Sequence, residues 1–312
     1  GDTALLAACD MGLVDVVRLL VSAGANAFVS NAAGETPLTC ALAKGHAEVV
    51  YVLAQVQDTH GNTYLSLAAQ AGDVDTVKQL LAANALVDAK NKDGKTALQL
   101  AADGDHKAVV QLLGNIADTD DNSAVMTAAH NGDMDLLSKL IASKAALNGH
   151  NALGQTPLML ASRNGRADAV QALVAARANV RARDDQGFSA VAEAAYHGHL
   201  EVLRSLVKAR APINDPNKQL QAPLMLAADA GHVDVVQFLV DAGADLDACE
   251  ADGFTALAIA ASTGLVDIVK ILVDANASLD TQNRSGETAL ITAAASGHTD
   301  VVRVLLDAGA DV

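Results

Sequence analysis

The sequence predicts an all-α repeat solenoid, a stack of units that each consist of a helix, a turn, a second helix and a projecting hairpin. Three observations predict it. One segment recurs ten times, anchored at Thr3, Thr36, Thr63, Thr96, Ser123, Thr156, Ser189, Ala222, Thr255 and Thr288, and seven of the nine spacings are 33 residues. Ala stands five residues after every anchor, from Ala8 to Ala293, and Leu stands seventeen after it, from Leu20 to Leu305. Hydrophobic residues make up 51% of the chain, yet only 2% is aromatic and Trp is absent, so the core must be built from Ala, Leu and Val in closely packed helices.

The elements follow in order. The anchor is a hydroxyl residue in nine copies, where an N-cap belongs, and Pro37 and Pro157 follow it at the first helical position. Apolar residues two, five and six positions on form a narrow buried stripe, in which the small Ala lets a neighbouring helix come close. Gly nine after the anchor ends the first helix, as at Gly165 and Gly231; in copy four Asp105 holds that place and Gly104 is displaced by one. An acidic residue such as Asp15, Glu48, Asp234 or Asp300 then opens a second helix, whose dipole favours negative charge there. That helix reads VVxxLL, and the turn-forming DxDAxxxDG after it makes the hairpin. A lone unit cannot bury its stripe, so neighbours must stack.

Two spacings are 27, between Thr36 and Thr63 and between Thr96 and Ser123. Shortened hairpins are therefore expected near 54–62 and 114–122, with a regular blade over copies five to ten.

The pattern TPL...AA..GH.DVV..LL..GAD resembles the ankyrin repeat and covers residues 1–312 as a single domain of ten units. At roughly 8–10 Å per helix-packing step, the resemblance implies a curved array on the order of 90 Å long. It also implies that partners bind the hairpin tips and the exposed side of the first helices, which line a concave groove. Units of that family usually carry His three residues after the anchor; here other residues, from Leu6 to Ile291, take the place, so apolar packing must carry more of the stacking. The family's His ten after the anchor is present as His46, His106, His199, His232 and His298, which are framework positions rather than ligands.

Catalytic, cofactor and metal sites are not expected. No nucleophile stands in a G-x-S-x-G turn, and no glycine-rich loop follows a strand. The pairs Asp73 with Asp75 and Asp133 with Asp135 open second helices, where carboxylates serve as caps. The neighbours His197 and His199 look like a ligand pair, but His199 belongs to the framework. Cys9, Cys40 and Cys249 are too few and too scattered for a disulfide framework or a zinc site. No apolar run reaches the ~18 residues of a membrane span.

Charge narrows the partner. The chain carries −16 overall, divided as −8 over residues 1–150, +3 over 151–214 and −11 over 215–312. Nucleic acid is disfavoured for want of a broad cationic face. A protein partner with basic regions, an enzyme bound by a monomeric array, fits better. Asp outnumbers Glu by 31 to 6, a bias that suits an exported, periplasmic protein; a cytoplasmic one is the alternative. The irregular, alanine-rich units suit a natural bacterial array.

Five of the ten arginines lie between Arg163 and Arg183, and the repeat register separates them. Arg177, with Lys144 and Arg210 one unit either side, ends a second helix where Gly usually stands, and Arg166 replaces the framework His. Arg163 and Arg183 map to the groove. With them we nominate Phe188, Tyr196 and His197 in copy seven and His150 and Leu153 on the hairpin of copy six as protein-binding residues. Phe254 and Lys92 complete the set. Interface centres are rich in aromatic residues and Arg; Phe188 and Phe254 also have a packing role open to them, whereas Tyr196 does not. Three functional classes are in play: an inhibitor or immunity-type partner restraining an enzyme such as a cell-wall hydrolase, an adaptor or effector scaffold, and an enzyme, for which no constellation is present.

Overall fold

The computed structural model describes residues 3–116 and 122–312, and these contain twenty α-helices and no strand. In chain order the pairs are α1 (Ala4–Asp10) and α2 (Val14–Ser22), α3 (Pro37–Lys44) and α4 (Ala47–Ala54), α5 (Tyr64–Ala71) and α6 (Val74–Ala82), α7 (Ala97–Asp103) and α8 (Lys107–Gly114), and α9 (Ala124–Asn131) and α10 (Met134–Ala142). They continue as α11 (Pro157–Arg163) and α12 (Ala167–Ala175), α13 (Ala190–Tyr196) and α14 (Leu200–Lys208), α15 (Pro223–Asp229) and α16 (Val233–Asp241), α17 (Ala256–Thr263) and α18 (Val266–Asp274), and α19 (Ala289–Ala295) and α20 (Thr299–Asp307).

The chain groups into two compact units, residues 1–120 with 138–146, and residues 121–137 with 147–312. In the first, α1 packs on α3 and α5 on α7, while α2, α4, α6 and α8 form the adjoining row. In the second, α9, α11, α13, α15, α17 and α19 pack in succession, backed by α12, α14, α16, α18 and α20. The repeated Ala of each first helix is buried in all ten copies, and the repeated Leu of each second helix is buried in all but Leu20 of the first copy.

Local chemistry sets the helix ends. In nine copies the anchor hydroxyl accepts the N–H three residues on, at 3.1–3.5 Å. Ala222 has no such bond, and Pro223 opens α15 in its stead. At the other end Asp105 adopts the left-handed conformation, with φ +53, while Gly104 does not. Lys144, Arg177 and Arg210 are left-handed as well, with φ of +60, +66 and +60. The cationic residues at these helix ends thus take the conformation in which Gly is usual, beside the negative ends of the helix dipoles.

The framework His joins neighbouring copies. In the first unit His46 Nε2 lies 3.0 Å from Asp10 O and His106 Nε2 lies 2.9 Å from Gln70 O. In the second, His199, His232 and His298 hold Arg163 O, Tyr196 O and Ser262 O, each at 3.0 Å. Arg166 does the same work as the His that it replaces, donating from Nε to His130 O at 3.2 Å. Where Asp73 and Asp133 occupy the position, each instead caps its second helix, at 3.1 Å from the N–H of Thr76 and Leu136.

The hairpins are side-chain-closed turns. Asn151 Oδ1 accepts the N–H of Leu153 and of Gln155 (3.1 and 3.0 Å), and Asp184 Oδ1 accepts those of Gln186 and Phe188 (2.9 and 2.8 Å). Successive tips are then linked by backbone: Asp185 N–H donates to Leu153 O, Lys218 to Gln186 O, Ala251 to Gln219 O and Arg284 to Asp252 O.

The deletion near 54–62 falls on the connector between α4 and the hairpin, while the turn at the tip is closed. Asp58 Oδ1 accepts from His60 and Asn62 (2.7 and 2.8 Å), and His60 O accepts Lys92 N–H at 2.8 Å. The turn closes on itself within five residues, so loss of the connector leaves it intact. Tyr64, next in the chain, stacks on Phe28 of the preceding connector with ring centroids 4.5 Å apart, and its hydroxyl donates to Ala27 O. The second shortened region, near 114–122, includes 117–121 and so lies in part outside the described residues.

Candidate protein-binding face

Arg163 and Tyr196 are the last residues of α11 and α13, one repeat apart, and so leave equivalent points on adjacent helices. Their carbonyls are the ones held by His199 and His232, which requires the Nε2–H tautomer of each imidazole. The framework ladder therefore fixes the backbone from which both side chains project.

A pocket of about 280 Å³ opens here. Its apolar walls are Leu153 (61% exposed), the half-buried Phe188 and Tyr196 (44% exposed). Its polar lining centres on Glu193, whose side chain is only 7% exposed. Arg163 Nε lies 3.8 Å and His197 Nε2 3.6 Å from Glu193 Oε2, beyond hydrogen-bond distance in both cases. Burial pushes the Glu193 carboxyl up to about 6, with Arg163 pulling it down and Asp184 adding to the rise. Burial likewise pushes the His197 imidazole down, helped by Arg163, His199 and His232. His197 Nε2 is buried without a hydrogen-bond partner among the described residues.

Five of the nominated residues thus converge: Leu153, Arg163, Phe188, Tyr196 and His197. The rest lie elsewhere. Arg183 is already engaged, with Nη2 2.9 Å from Asp215 Oδ2 and Nη1 donating to Pro216 O at 2.8 Å. His150 is exposed, and its Nδ1 is 3.3 Å from Asn151 O. Phe254 is half-buried on a later hairpin, where its N–H donates to Glu250. Lys92 is exposed on a tip of the first unit.

The residue that sequence reasoning missed is Glu193. It stands four after its anchor, where the other copies have Ala7, Cys40, Thr127, Thr292 or an aliphatic residue such as Leu160 and Leu226. A carboxylate at an otherwise uncharged helical position was the available signal.

Other candidates carry less. The His197 and His199 rings stack at 6.2 Å, and His199 is committed to Arg163 O. Among the described residues no group of three His, Cys, Asp or Glu is placed to hold a metal, and no helix is long and apolar enough to cross a membrane. A larger pocket of about 410 Å³ in the first unit, lined by Leu42, Val50, Tyr51 and Asn84 among others, has Glu48 as its one charged residue. The smaller pocket holds the converging polar groups that a specific site requires.

Stacked helix pairs, linked turn tips and a polar pocket on the tip side define a helical repeat array. The family model described as "Ankyrin repeats (3 copies)" matches residues 1–59, 54–123, 125–219, 178–248 and 224–312. The chain belongs to the ankyrin-repeat family. Over 156 residues it is 34% identical to the ankyrin repeat and KH domain-containing protein mask-1 of Caenorhabditis elegans, a match covering 46% of this chain and 6% of that protein. It is 32% identical over 123 residues to tyrosine-protein kinase HTK16 of Hydra vulgaris (37% of this chain, 16% of the relative). It is also 32% identical over 117 residues to potassium channel AKT2/3 of Arabidopsis thaliana (36% and 15%). The chain thus spans a small part of the length of these relatives. All three are eukaryotic, and the bacterial source expected from the alanine-rich units finds no counterpart among them.

Proposed function

We propose that this array is a non-catalytic protein-binding module that takes hold of its partner through the face built by the hairpins at 151–155 and 184–188 and the ends of α11 and α13. One observation carries the reading: aromatic, aliphatic and arginine side chains converge there on a buried carboxylate. Such a centre, desolvated and rich in Tyr and Arg, has the make-up of an interface hot spot. The partner is a protein with basic regions, drawn in by a monomeric array that carries −16. In the narrower form of the reading, that partner is an enzyme, such as a hydrolase, restrained by occlusion in an exported setting. A recruiting scaffold, with a cytoplasmic setting, is the second reading. It is supported by the relatives, in which the matched region is 6–16% of a longer protein.

Capture by the intact chain, with mass spectrometry, identifies partners; affinity is then measured with each one purified. Tyr196→Ala combined with Leu153→Ala should weaken a true partner at least about tenfold, ~1.4 kcal/mol. Unchanged affinity would move the interface off this face. Turnover of an enzyme partner in the complex separates the two readings, since restraint lowers it and recruitment leaves it alone.

A further inference from the structure

The geometry points to the pocket between copies six and seven as a receptor for one basic side chain, an arginine or lysine presented by a partner polypeptide, with Glu193 as its counter-ion. This rests on the protein-binding reading above and names the chemistry of that face.

Glu193 is the first ground. A buried carboxylate is costly unless it is paired and hydrogen-bonded, and this one is neither fully. The side chain is 7% exposed, and both nearby cations stop short of bonding it, at 3.8 and 3.6 Å. Its acceptor capacity is left for an occupant of the pocket that it lines.

Charge is the second ground. Asp184, Asp185 and Glu193 line the pocket against a single cation, Arg163, because burial and the neighbouring Arg163, His199 and His232 keep His197 neutral near pH 7. Asp184 spends Oδ1 on the turn N–H groups of Gln186 and Phe188, and Asp185 stands exposed at the rim. Arg183 does not offset this charge, being paired with Asp215. A carboxylate entering the pocket would meet three like charges; an ammonium or guanidinium meets three opposite ones.

Shape and surface are the third. A volume of about 280 Å³ admits one side chain rather than a folded surface. Phe188 and Tyr196 present aromatic rings to it, which adds cation–π attraction for a basic occupant and apolar cover for its methylene stem. The ring of Tyr196 is itself braced, edge-on to His197 at 5.0 Å.

Blocked tripeptides with a central arginine, lysine or glutamate are the probes, titrated into the whole chain while NMR follows Phe188, Tyr196 and His197. The arginine or lysine peptide should shift these signals saturably, and the two arms show which side chain fits better. Glu193→Gln, which keeps the shape, should lower that affinity at least about tenfold. Arg163→Gln should preserve or raise it, because Arg163 competes for the same carboxylate. Affinity should also climb as pH rises through about 6, where Glu193 loses its proton.

Three results overturn the inference: saturable binding of the glutamate peptide instead, equal basic-peptide affinity in Glu193→Gln, or no shift with any peptide. The two proposals fail separately. A purified partner weakened by Tyr196→Ala with Leu153→Ala but indifferent to Glu193→Gln removes the pocket and keeps the face. Basic peptides that bind as described, beside a partner indifferent to every one of these variants, keep the pocket and remove the face.

Discussion

Gly198→Ala should destabilise this array well beyond the conformational cost of the change, and only while His232 is present. Gly198 ends α13 with φ +75, where an L-residue costs roughly 1–2 kcal/mol. A Cβ at that position would lie 2.7 Å from His232 Nδ1 and 2.8 Å from Cε1, so the imidazole must move. Moving it breaks its 3.0 Å contact with Tyr196 O, a hydrogen bond of about 1 kcal/mol net. Overpacking at this inter-repeat contact costs a further ~1–2 kcal/mol. The total is about 3–5 kcal/mol, of which only the first ~1–2 should remain in a His232→Ala background. Gly297 is a matched control, with φ +77 and nothing within 4 Å of its Cβ position. Repeat arrays need not unfold in one step, so urea unfolding should be joined by hydrogen exchange of the amides in α13 and α14. An equal loss in both backgrounds, or a Gly297→Ala variant as damaged as Gly198→Ala, would refute the packing account.

Glu193→Gln should raise stability at neutral pH and do little near pH 4. Its carboxyl is held up at about 6 against an ordinary 4.5, so the folded state binds the proton more tightly than the unfolded chain does. That stabilisation is fully present below ~4.5 and lost as pH rises through ~6, a swing of about 2 kcal/mol. Urea midpoints at the two pH values check it, and an equal shift at both contradicts the burial account. Tyr64→Phe should cost about 1–2 kcal/mol in the first unit, since Ala27 is 1% exposed and its carbonyl loses the phenol donor. The phenol itself, pushed up to about 12 by burial, should titrate correspondingly late in ultraviolet absorbance; ionisation in the ordinary range near 10 would place the ring in solvent.

Much of the fold was legible because each copy repeats its own local chemistry. Hydroxyl anchors, the left-handed Asp105 and the cationic left-handed helix ends are decided by neighbours within a few residues in sequence. The equivalence of Arg166 to the framework His was legible too, as any long donor at that register reaches the same carbonyl. Five of the nominated side chains were brought together because a spacing of 33 residues places equivalent positions side by side. The spacing of 27 residues shows that the segment near 54–62 is short, whereas the bonds of Asp58 decide which of its residues form the tip.

What the sequence by itself determined is the periodic part: the solenoid class, the register, the capping and the invariant Ala and Leu contacts. What only the tertiary structure decided is aperiodic. Arg183 was spent on Asp215 of the following hairpin, and Tyr64 found Phe28 and Ala27 far behind it in the chain. Glu193 was visible as an odd residue, but its burial, the near miss of Arg163 and the pocket in front of it arise only where two copies meet. A periodic contact is stated once in every repeat, while a site depends on particular side chains of different copies meeting at atomic distances, which no single repeat contains.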